Sequence, residues 1–240
     1  MYRVIFVLLT ICLKGNFMKE KSLFVVLEGV DAVGKTSLAR QIQKIIGNEK
    51  VAIISEFPAS FLDGYLAHLV KTSPDLQLNK NISTPLTQTA VLAGAALYKY
   101  ESEVKQLMQD NKELIIMDRY IYSVAAYQKV ALQNIDKDIA IKANDLLASL
   151  LKIVPSPDMV VYLNLPIDIV AERIQARDEP TSPEYMNFLR DVKHSYDEVL
   201  KNSEVKYYEF IANNGLENDA LSIIDIIYSK DNGNTCLLNS

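Results

Sequence analysis

The sequence predicts an α/β protein with a parallel five-stranded sheet and helices on both faces. Short apolar runs rich in Val, Ile and Leu recur along the chain, separated by longer segments with helical periodicity. The runs do not alternate with polar residues, which is typical of strands buried on both faces of a parallel sheet. With 49% apolar residues among 240, the chain can bury a core of this kind. The predicted strands are residues 23–27, 51–55, 114–117, 159–163 and 205–210.

The predicted helices fill the intervals between the strands, so each crossover returns the chain to the same edge of the sheet. Pro180 and Pro183 predict a break before the penultimate helix. No stretch rich in Pro, Gly or Ser divides the chain, so one domain is expected over residues 21–230, followed by a loose tail at 231–240. The predicted helices are residues 36–46, 61–70, 86–111, 122–132, 138–151, 167–177, 187–200 and 216–227.

The first residues form an apolar extension. Residues 4–13 have the length of a signal-peptide core but are too short to span a bilayer as a helix. No good cleavage site follows, and Met18 begins a segment typical of a cytosolic N-terminus. We therefore expect residues 1–20 to be a mobile extension or an upstream translated segment, with either Met1 or Met18 as the start, and we expect no membrane partner.

Charge and cysteine content restrict the class of protein. The net charge is −5 and no stretch is strongly basic, which argues against a nucleic-acid partner held by phosphate neutralisation. Cys12 and Cys236 lie near opposite ends of the chain, so neither a disulfide framework nor a metal-ligand spacing is predicted. A reducing compartment, the cytoplasm, fits this cysteine usage.

A phosphate loop follows the first predicted strand. Gly29 and Gly34 with Lys35 and Thr36 match the pattern G-x-x-x-x-G-K-[ST], directly before a predicted helix. The glycines let the backbone curl so that several N–H groups point at one anion, and the helix start adds partial positive charge. Lys35 is expected to reach the β- and γ-phosphates, and the Thr36 hydroxyl to ligate Mg²⁺. The pattern predicts a P-loop NTPase-type fold that uses ATP and Mg²⁺, with the nucleotide bound by Gly29, Val30, Asp31, Ala32, Val33, Gly34, Lys35, Thr36 and Ser37.

A second group of polar residues follows the third predicted strand. Asp118 stands where a carboxylate can hold Mg²⁺ beside the phosphate loop, although a cap of the next helix is the alternative. Arg119 can clamp phosphates bidentately. Arg173 and Arg177 are spaced to project from one helix face and to close over the γ-phosphate, with a solvated helix end as the alternative.

Two stretches resemble the thymidylate kinase family. Residues 118–128 read DRYIYSVAAYQ and match the family's D-R-Y-x-x-S-x-x-A-Y-Q, and residues 28–36 match its E-G-x-D-x-x-G-K-[ST]. Residues 157–163 are similar to its P-D-x-x-x-Y-L strand, and Arg173 and Arg177 fall where its lid carries R-x-x-x-R. The resemblance covers about residues 21–227 and implies a nucleoside-monophosphate kinase that converts dTMP to dTDP with MgATP.

The resemblance also assigns roles to single residues. It implies that Asp31 contacts the 3′-hydroxyl of the acceptor and that Arg119 contacts the phosphates being joined, with Lys35, Arg173 and Arg177 also serving catalysis. Further substrate-binding residues are expected around the base, the sugar and the loop after the second strand. They are Ser123 and Gln128 near the pyrimidine, Tyr127 under the sugar, and Phe57 in the loop.

The chain departs from the family pattern at the acceptor's phosphate. Two arginines are expected there, but Ser60 and Leu97 stand at their positions, and neither can replace a bidentate clamp. Lys71 and Lys99 are candidates to compensate. Three readings stay open: a dTMP kinase, a kinase with another acceptor such as a nucleoside or a different nucleotide, and a nucleotide-binding protein that has lost transferase activity. The alanine-rich residues 90–96 favour close helix packing and hence a homodimer.

Overall fold

The structure is a computed structural model that describes residues 22–55, 85–110, 112–134, 136–177 and 182–229. Several sequence-based expectations lie outside these residues. They are the extension at 1–20, the helix at 61–70, the tail at 231–240, and the side chains of Phe57, Ser60 and Lys71.

Within the described residues, five parallel strands form one sheet in the order β2-β3-β1-β4-β5. This confirms the α/β prediction, and the predicted strands match the observed ones to within about two residues. The central strand β1 pairs on both sides, with Leu27 opposite Asp118 and Val161. The carboxyl ends of β1 and β3 therefore meet at one edge. The strands are β1 (Leu23–Glu28), β2 (Val51–Ile54), β3 (Leu114–Asp118), β4 (Met159–Leu163) and β5 (Tyr207–Phe210).

Helices cover the sheet in two groups that belong to its two faces. In one group α1 packs against α8; in the other α4 packs against α2, α5 and α7. None of the helices in the described ranges is long and apolar enough to cross a bilayer. The helices are α1 (Lys35–Ile46), α2 (Pro85–Lys99), α3 (Lys105–Gln109), α4 (Ile121–Ala131), α5 (Lys137–Ile153), α6 (Ile167–Gln175), α7 (Pro183–Lys201) and α8 (Leu216–Tyr228). A π-helical turn, Tyr100–Val104, joins α2 to α3, so the single predicted helix at 86–111 is helical in three segments.

The start of α7 corrects the predicted boundary. The helix begins at Pro183 rather than at residue 187, because proline occupies the first turn, where its missing N–H is not needed. Ser182 is the N-cap, and its hydroxyl oxygen accepts the backbone N–H of Tyr185 at 3.1 Å. Tyr185 is thereby carried on a helix and not in a loop.

Candidate active site

The phosphate loop lies against the end of β4. Gly29 has φ 141°, and a Cβ there would lie 2.6 Å from the carbonyl oxygen of Leu163, so no side chain fits. Ala32 has φ 60° and Gly34 has φ 102°, which makes the turn into α1 left-handed. The loop is consequently a fixed curl at the carboxyl edge of the sheet.

Lys35 lies back across this curl. Its ammonium donates to the carbonyl oxygens of Gly29 and Val30, each at 3.0 Å, and the side chain is buried. Thr36 and Ser37 at the start of α1 are exposed. The positive charge of Lys35 is therefore held inside the loop that the sequence predicts to bind phosphates.

Thr36 and Asp118 meet beside the loop. The Thr36 hydroxyl donates to one Asp118 carboxylate oxygen, Oδ2, at 2.5 Å. The other, Oδ1, is buried and has no hydrogen-bond partner in the part of the chain that the structure describes. The N-cap of α4 is Tyr120, so Asp118 is not the cap. A buried carboxylate oxygen next to a hydroxyl fits Mg²⁺, which uses few protein oxygens and completes its shell with water and phosphate.

Arg119 directs its guanidinium from the end of β3 towards the phosphate loop. Nη2 forms an ion pair with Asp31 and donates to the Tyr127 hydroxyl at 3.1 Å. The guanidinium carbon lies 4.9 Å from the centre of the Tyr127 ring, within cation–π range. The structure thus brings together three residues to which the family resemblance assigns substrate contacts: Asp31, Arg119 and Tyr127.

The Asp31 carboxylate accepts hydrogen bonds from three side chains. Besides Arg119, the hydroxyls of Tyr185 and Tyr127 donate to Asp31 Oδ2, at 2.8 and 3.2 Å. Enclosure by the protein raises the pKa of Asp31, but the positive charges of Arg119 and Lys35 outweigh it, so the pKa lies below its usual value. Burial, and then the negative charge of Asp31, raise the pKa of Tyr185. Asp31 is hence ionised and Tyr185 protonated at neutral pH.

Glu28, at the end of β1, is a second carboxylate beside Asp31, and it is buried. Its side chain is fully buried, and it accepts hydrogen bonds from the Tyr120 N–H at 2.9 Å and from the Ser123 hydroxyl. Burial raises the pKa of Glu28 to about 7, although the Ser123 hydrogen bond and the Arg119 charge oppose this. The Tyr196 hydroxyl donates to the same carboxylate at 3.1 Å.

The two side chains assigned to the pyrimidine base have partners inside the protein. The Ser123 hydroxyl lies between Glu28 and the Tyr196 hydroxyl, which is 2.7 Å away. Gln128 is buried, and its Oε1 accepts the Thr89 hydroxyl of α2 at 2.9 Å. Their roles towards a base stay predictions.

The two lid arginines are placed differently. Arg173 lies over the phosphate loop, since Nη1 donates to the Val33 carbonyl at 2.9 Å. Helix α6 ends at Gln175, and Arg177 is exposed in the turn that follows. The prediction that both arginines project from one helix face is therefore wrong, because the helix stops two residues before Arg177.

Tyr185 and Tyr196 are site residues that sequence reasoning missed. Both lie on α7, eleven residues and about three turns apart, on a buried stripe with Leu189 and Val192. That helical spacing was visible in the sequence. What it could not show is that the tyrosines at the two ends carry hydroxyls to Asp31 and Glu28.

The region of the missing arginines is partly described. Leu97 packs half-buried against the core, so its position supplies no cation. Lys99 is buried two residues further on, and its ammonium donates to the Ser55 carbonyl at 3.3 Å. Because Ile54 pairs with Met117, Ser55 is level with Asp118, and Lys99 reaches the same edge of the sheet as the phosphate loop.

Known proteins match this chain over most of its length. A family model described as thymidylate kinase matches residues 27–221. A probable thymidylate kinase of Pyrococcus horikoshii is 28% identical over 221 residues, which cover 86% of this chain and 92% of that protein. A probable thymidylate kinase of Sulfolobus acidocaldarius is 30% identical over 72% of this chain and 80% of its own. The crystal structure of thymidylate kinase from Ehrlichia chaffeensis is similar with a TM-score of 0.59 and 19% identity, over 87% of this chain and 100% of that one, which shows the fold.

Proposed function

Because the chain belongs to the thymidylate kinase family, we propose that it transfers the γ-phosphoryl group of ATP to dTMP and releases ADP and dTDP. The observation that carries this function is the meeting of Lys35, Asp31 and Arg119 at one edge of the sheet. A triphosphate cradle alone fits any NTPase. A phosphate loop whose aspartate forms an ion pair with an arginine at the end of the neighbouring strand can also bind a second phosphorylated substrate.

The donor half consists of the phosphate loop and the residues around it. Backbone N–H groups of residues 29–37 surround the ATP phosphates, and Lys35 neutralises their charge. Arg173, which contacts the loop at Val33, is placed to bind the γ-phosphate, whereas Arg177 is exposed after the end of α6. Thr36 and Asp118 would hold Mg²⁺, which supplies charge neutralisation on the phosphate oxygens.

The acceptor half lies on the other side of Arg119. Asp31 exchanges one of its tyrosine donors for the sugar 3′-hydroxyl, and Tyr127 packs under the sugar. Gln128 and Ser123 keep the role near the base that the family resemblance implies, and Phe57, outside the described residues, stays a predicted substrate-binding residue. Lys99 takes the acceptor's phosphate, where its ammonium replaces a clamp by a point charge.

The chemistry needs positioning and charge rather than a nucleophilic side chain. An oxygen of the acceptor phosphate attacks the γ-phosphorus in line, and the bond to the β,γ-bridging oxygen breaks, with its electron pair leaving on ADP. Arg119 stabilises the negative charge shared between the two phosphates. Preorganised donors at this point cost no reorganisation during transfer.

The test is ADP release with purified protein, ATP, Mg²⁺ and a panel of dTMP, dUMP, dCMP and thymidine. We expect dTMP to give the highest kcat/KM and Lys35→Ala to lower kcat by at least ~100-fold, since it removes the charge on the β- and γ-phosphates. Lys44→Ala, on the last turn of α1, is the matched control. Preference for thymidine would support the reading with a different acceptor. ATP binding without any acceptor-dependent turnover would support the reading of lost transferase activity.

We further infer that the protein is a homodimer and works in the cytoplasm. Four residues form an exposed line along α2, and we call them the α2 stripe: Leu86, Ala90, Gly94 and Tyr98. Its middle residues are small, which permits close approach of a second helix. Ala93 and Ala96 of the same segment are buried in the core of this chain and do not belong to the stripe.

A further inference from the structure

The conformation of Arg119 is unusual for its residue type. Its φ is 65°, in the left-handed region that non-glycine residues rarely adopt because Cβ crowds the backbone. Such a residue keeps this conformation only when its surroundings impose it. In this protein, hydrogen bonds to the central strand impose it.

Strand β1 holds Arg119 from both sides. The backbone N–H of Arg119 donates to the Leu27 carbonyl at 3.0 Å, which fixes the peptide before it. The N–H of Tyr120 donates to the Glu28 carboxylate at 2.9 Å, which fixes the peptide after it. The left-handed residue thus lies between two bonds to consecutive residues of the central strand.

Glu28 is in turn fixed by donors from α4 and α7. The Ser123 N–H at 3.3 Å and the Ser123 hydroxyl donate from α4, and the Tyr196 hydroxyl donates from α7 at 3.1 Å. Tyr196 also connects the carboxylate to the arginine, because Arg119 Nη1 lies 3.4 Å from its hydroxyl oxygen. A buried carboxylate with this many donors cannot rotate without breaking several hydrogen bonds.

We propose that Glu28, together with the hydroxyls of Ser123 and Tyr196, acts as a clamp that holds Arg119 in its left-handed conformation and so positions the guanidinium for phosphoryl transfer. Glu28 is a positioning residue: it is fully buried and touches no substrate. The proposal rests on the proposed function, since that function gives Arg119 its role. The clamp also explains why the Ser123 hydroxyl is directed at Glu28 inside the protein.

The clamp predicts an effect on kcat that the burial of Glu28 alone does not predict. If Glu28 serves only the stability of the core, replacing it weakens folding and leaves the turnover of the folded fraction unchanged. If it positions Arg119, the loss appears in kcat and depends on Arg119 being present. A misplacement of about 1 Å in a transfer site can lower the rate ~100-fold.

The experiment is a double-mutant cycle with Glu28→Gln, Arg119→Gly and the double variant, assayed for kcat, KM and melting temperature with ATP and dTMP. Glycine at position 119 adopts the left-handed conformation without help. We expect Glu28→Gln to lower kcat at least ~10-fold, with KM for ATP within ~2-fold. In the Arg119→Gly background the same change lowers the residual rate less than ~2-fold, and millimolar guanidinium restores both glycine variants equally.

If Glu28→Gln does not fold, Tyr196→Phe provides a second test. It removes one hydroxyl that contacts both Glu28 and Arg119. We expect it to lower kcat, whereas Tyr162→Phe, a buried neighbour whose hydroxyl donates to the Lys193 carbonyl, leaves kcat unchanged. Equal losses from Glu28→Gln in both Arg119 backgrounds, or a Glu28→Gln enzyme with unchanged kcat, would overturn the clamp. A wild-type protein without dTMP-dependent turnover would instead overturn the proposed function.

Discussion

Lys99 lies two residues after Leu97, one of the two positions where the family pattern has arginine, and its ammonium reaches the edge of the sheet that carries the phosphate loop. The side chain is buried and bonded to the carbonyl of Ser55, level with Asp118. A lysine offers a compact charge with three donors, and an arginine offers a planar fork. In the proposed function, Lys99 would therefore neutralise the acceptor's phosphate while constraining its orientation less than an arginine does.

We expect Lys99→Met to raise KM for dTMP by ~10- to 100-fold, because a charged hydrogen bond contributes roughly 1.5–3 kcal/mol. Methionine keeps most of the unbranched side chain and removes the charge together with the hydrogen bond to Ser55. KM for ATP should change less than ~2-fold, since the donor half does not contain Lys99. Steady-state kinetics with each substrate varied separately measures both values. Lys129→Met, which breaks an exposed pair with Glu198, is the control. An unchanged KM for dTMP would remove Lys99 from the acceptor site.

At the scale of elements, α7 contacts both carboxylates of the site, Asp31 and Glu28. Its N-cap Ser182 fixes the first turn, from which Tyr185 reaches Asp31, and three turns later Tyr196 reaches Glu28. One helix therefore brings hydroxyls to both carboxylates beside the phosphate loop. The same helix packs against α4, which carries Ser123 and Tyr127.

Ser182→Ala should lower the free energy of unfolding by about 1 kcal/mol, the usual cost of losing a helix cap. It should also raise KM for dTMP, because the loosened first turn carries Tyr185 away from Asp31. Urea denaturation and substrate kinetics check the two effects. Asp136→Ala is the matched variant, since Asp136 caps α5 away from the site by accepting the N–H groups of Asp138 and Ile139. Equal KM values for the two variants would contradict a link between this cap and the acceptor.

The elements differ in how far the sequence could predict them. Strands such as β4 are continuous apolar runs, and the predicted and observed bounds of residues 159–163 agree. The predicted start of α7 is wrong because proline breaks a helix in its interior but favours one at its first turn, where Pro183 lies. The phosphate loop and Arg119 were recognisable from local motifs. The contacts of Tyr185 and Tyr196 were not, because they join residues more than 150 positions apart.

At the scale of the whole molecule, the α2 stripe is a surface that the described part of the chain leaves exposed. Among the described residues, a Cβ added at Gly94 would meet no heavy atom within 4 Å. We therefore expect the described fold to accept a side chain at this position. It would obstruct a second helix that approaches along the stripe.

We accordingly expect Gly94→Arg to convert a dimer to a monomer without lowering the melting temperature of the chain by more than a few degrees. Light scattering coupled to size exclusion measures the mass of wild type and variant. Asn218→Arg, on the exposed first turn of α8, controls for added charge. A wild-type protein of monomer mass, or a Gly94→Arg variant that stays dimeric, would exclude this surface.

The place of β1 in the sheet has a consequence for how the two halves of the site respond to change. The phosphate loop leaves a strand that is hydrogen-bonded on both sides, whereas Ser55 follows β2, at the end of the described strand order. Proteins open locally most easily at edges and least easily at their centre. We therefore expect amide exchange in β1 to require global unfolding, and exchange at the end of β2 to occur by local opening. Substitutions that loosen the end of β2 should therefore affect the site near Lys99 before they affect the phosphate loop.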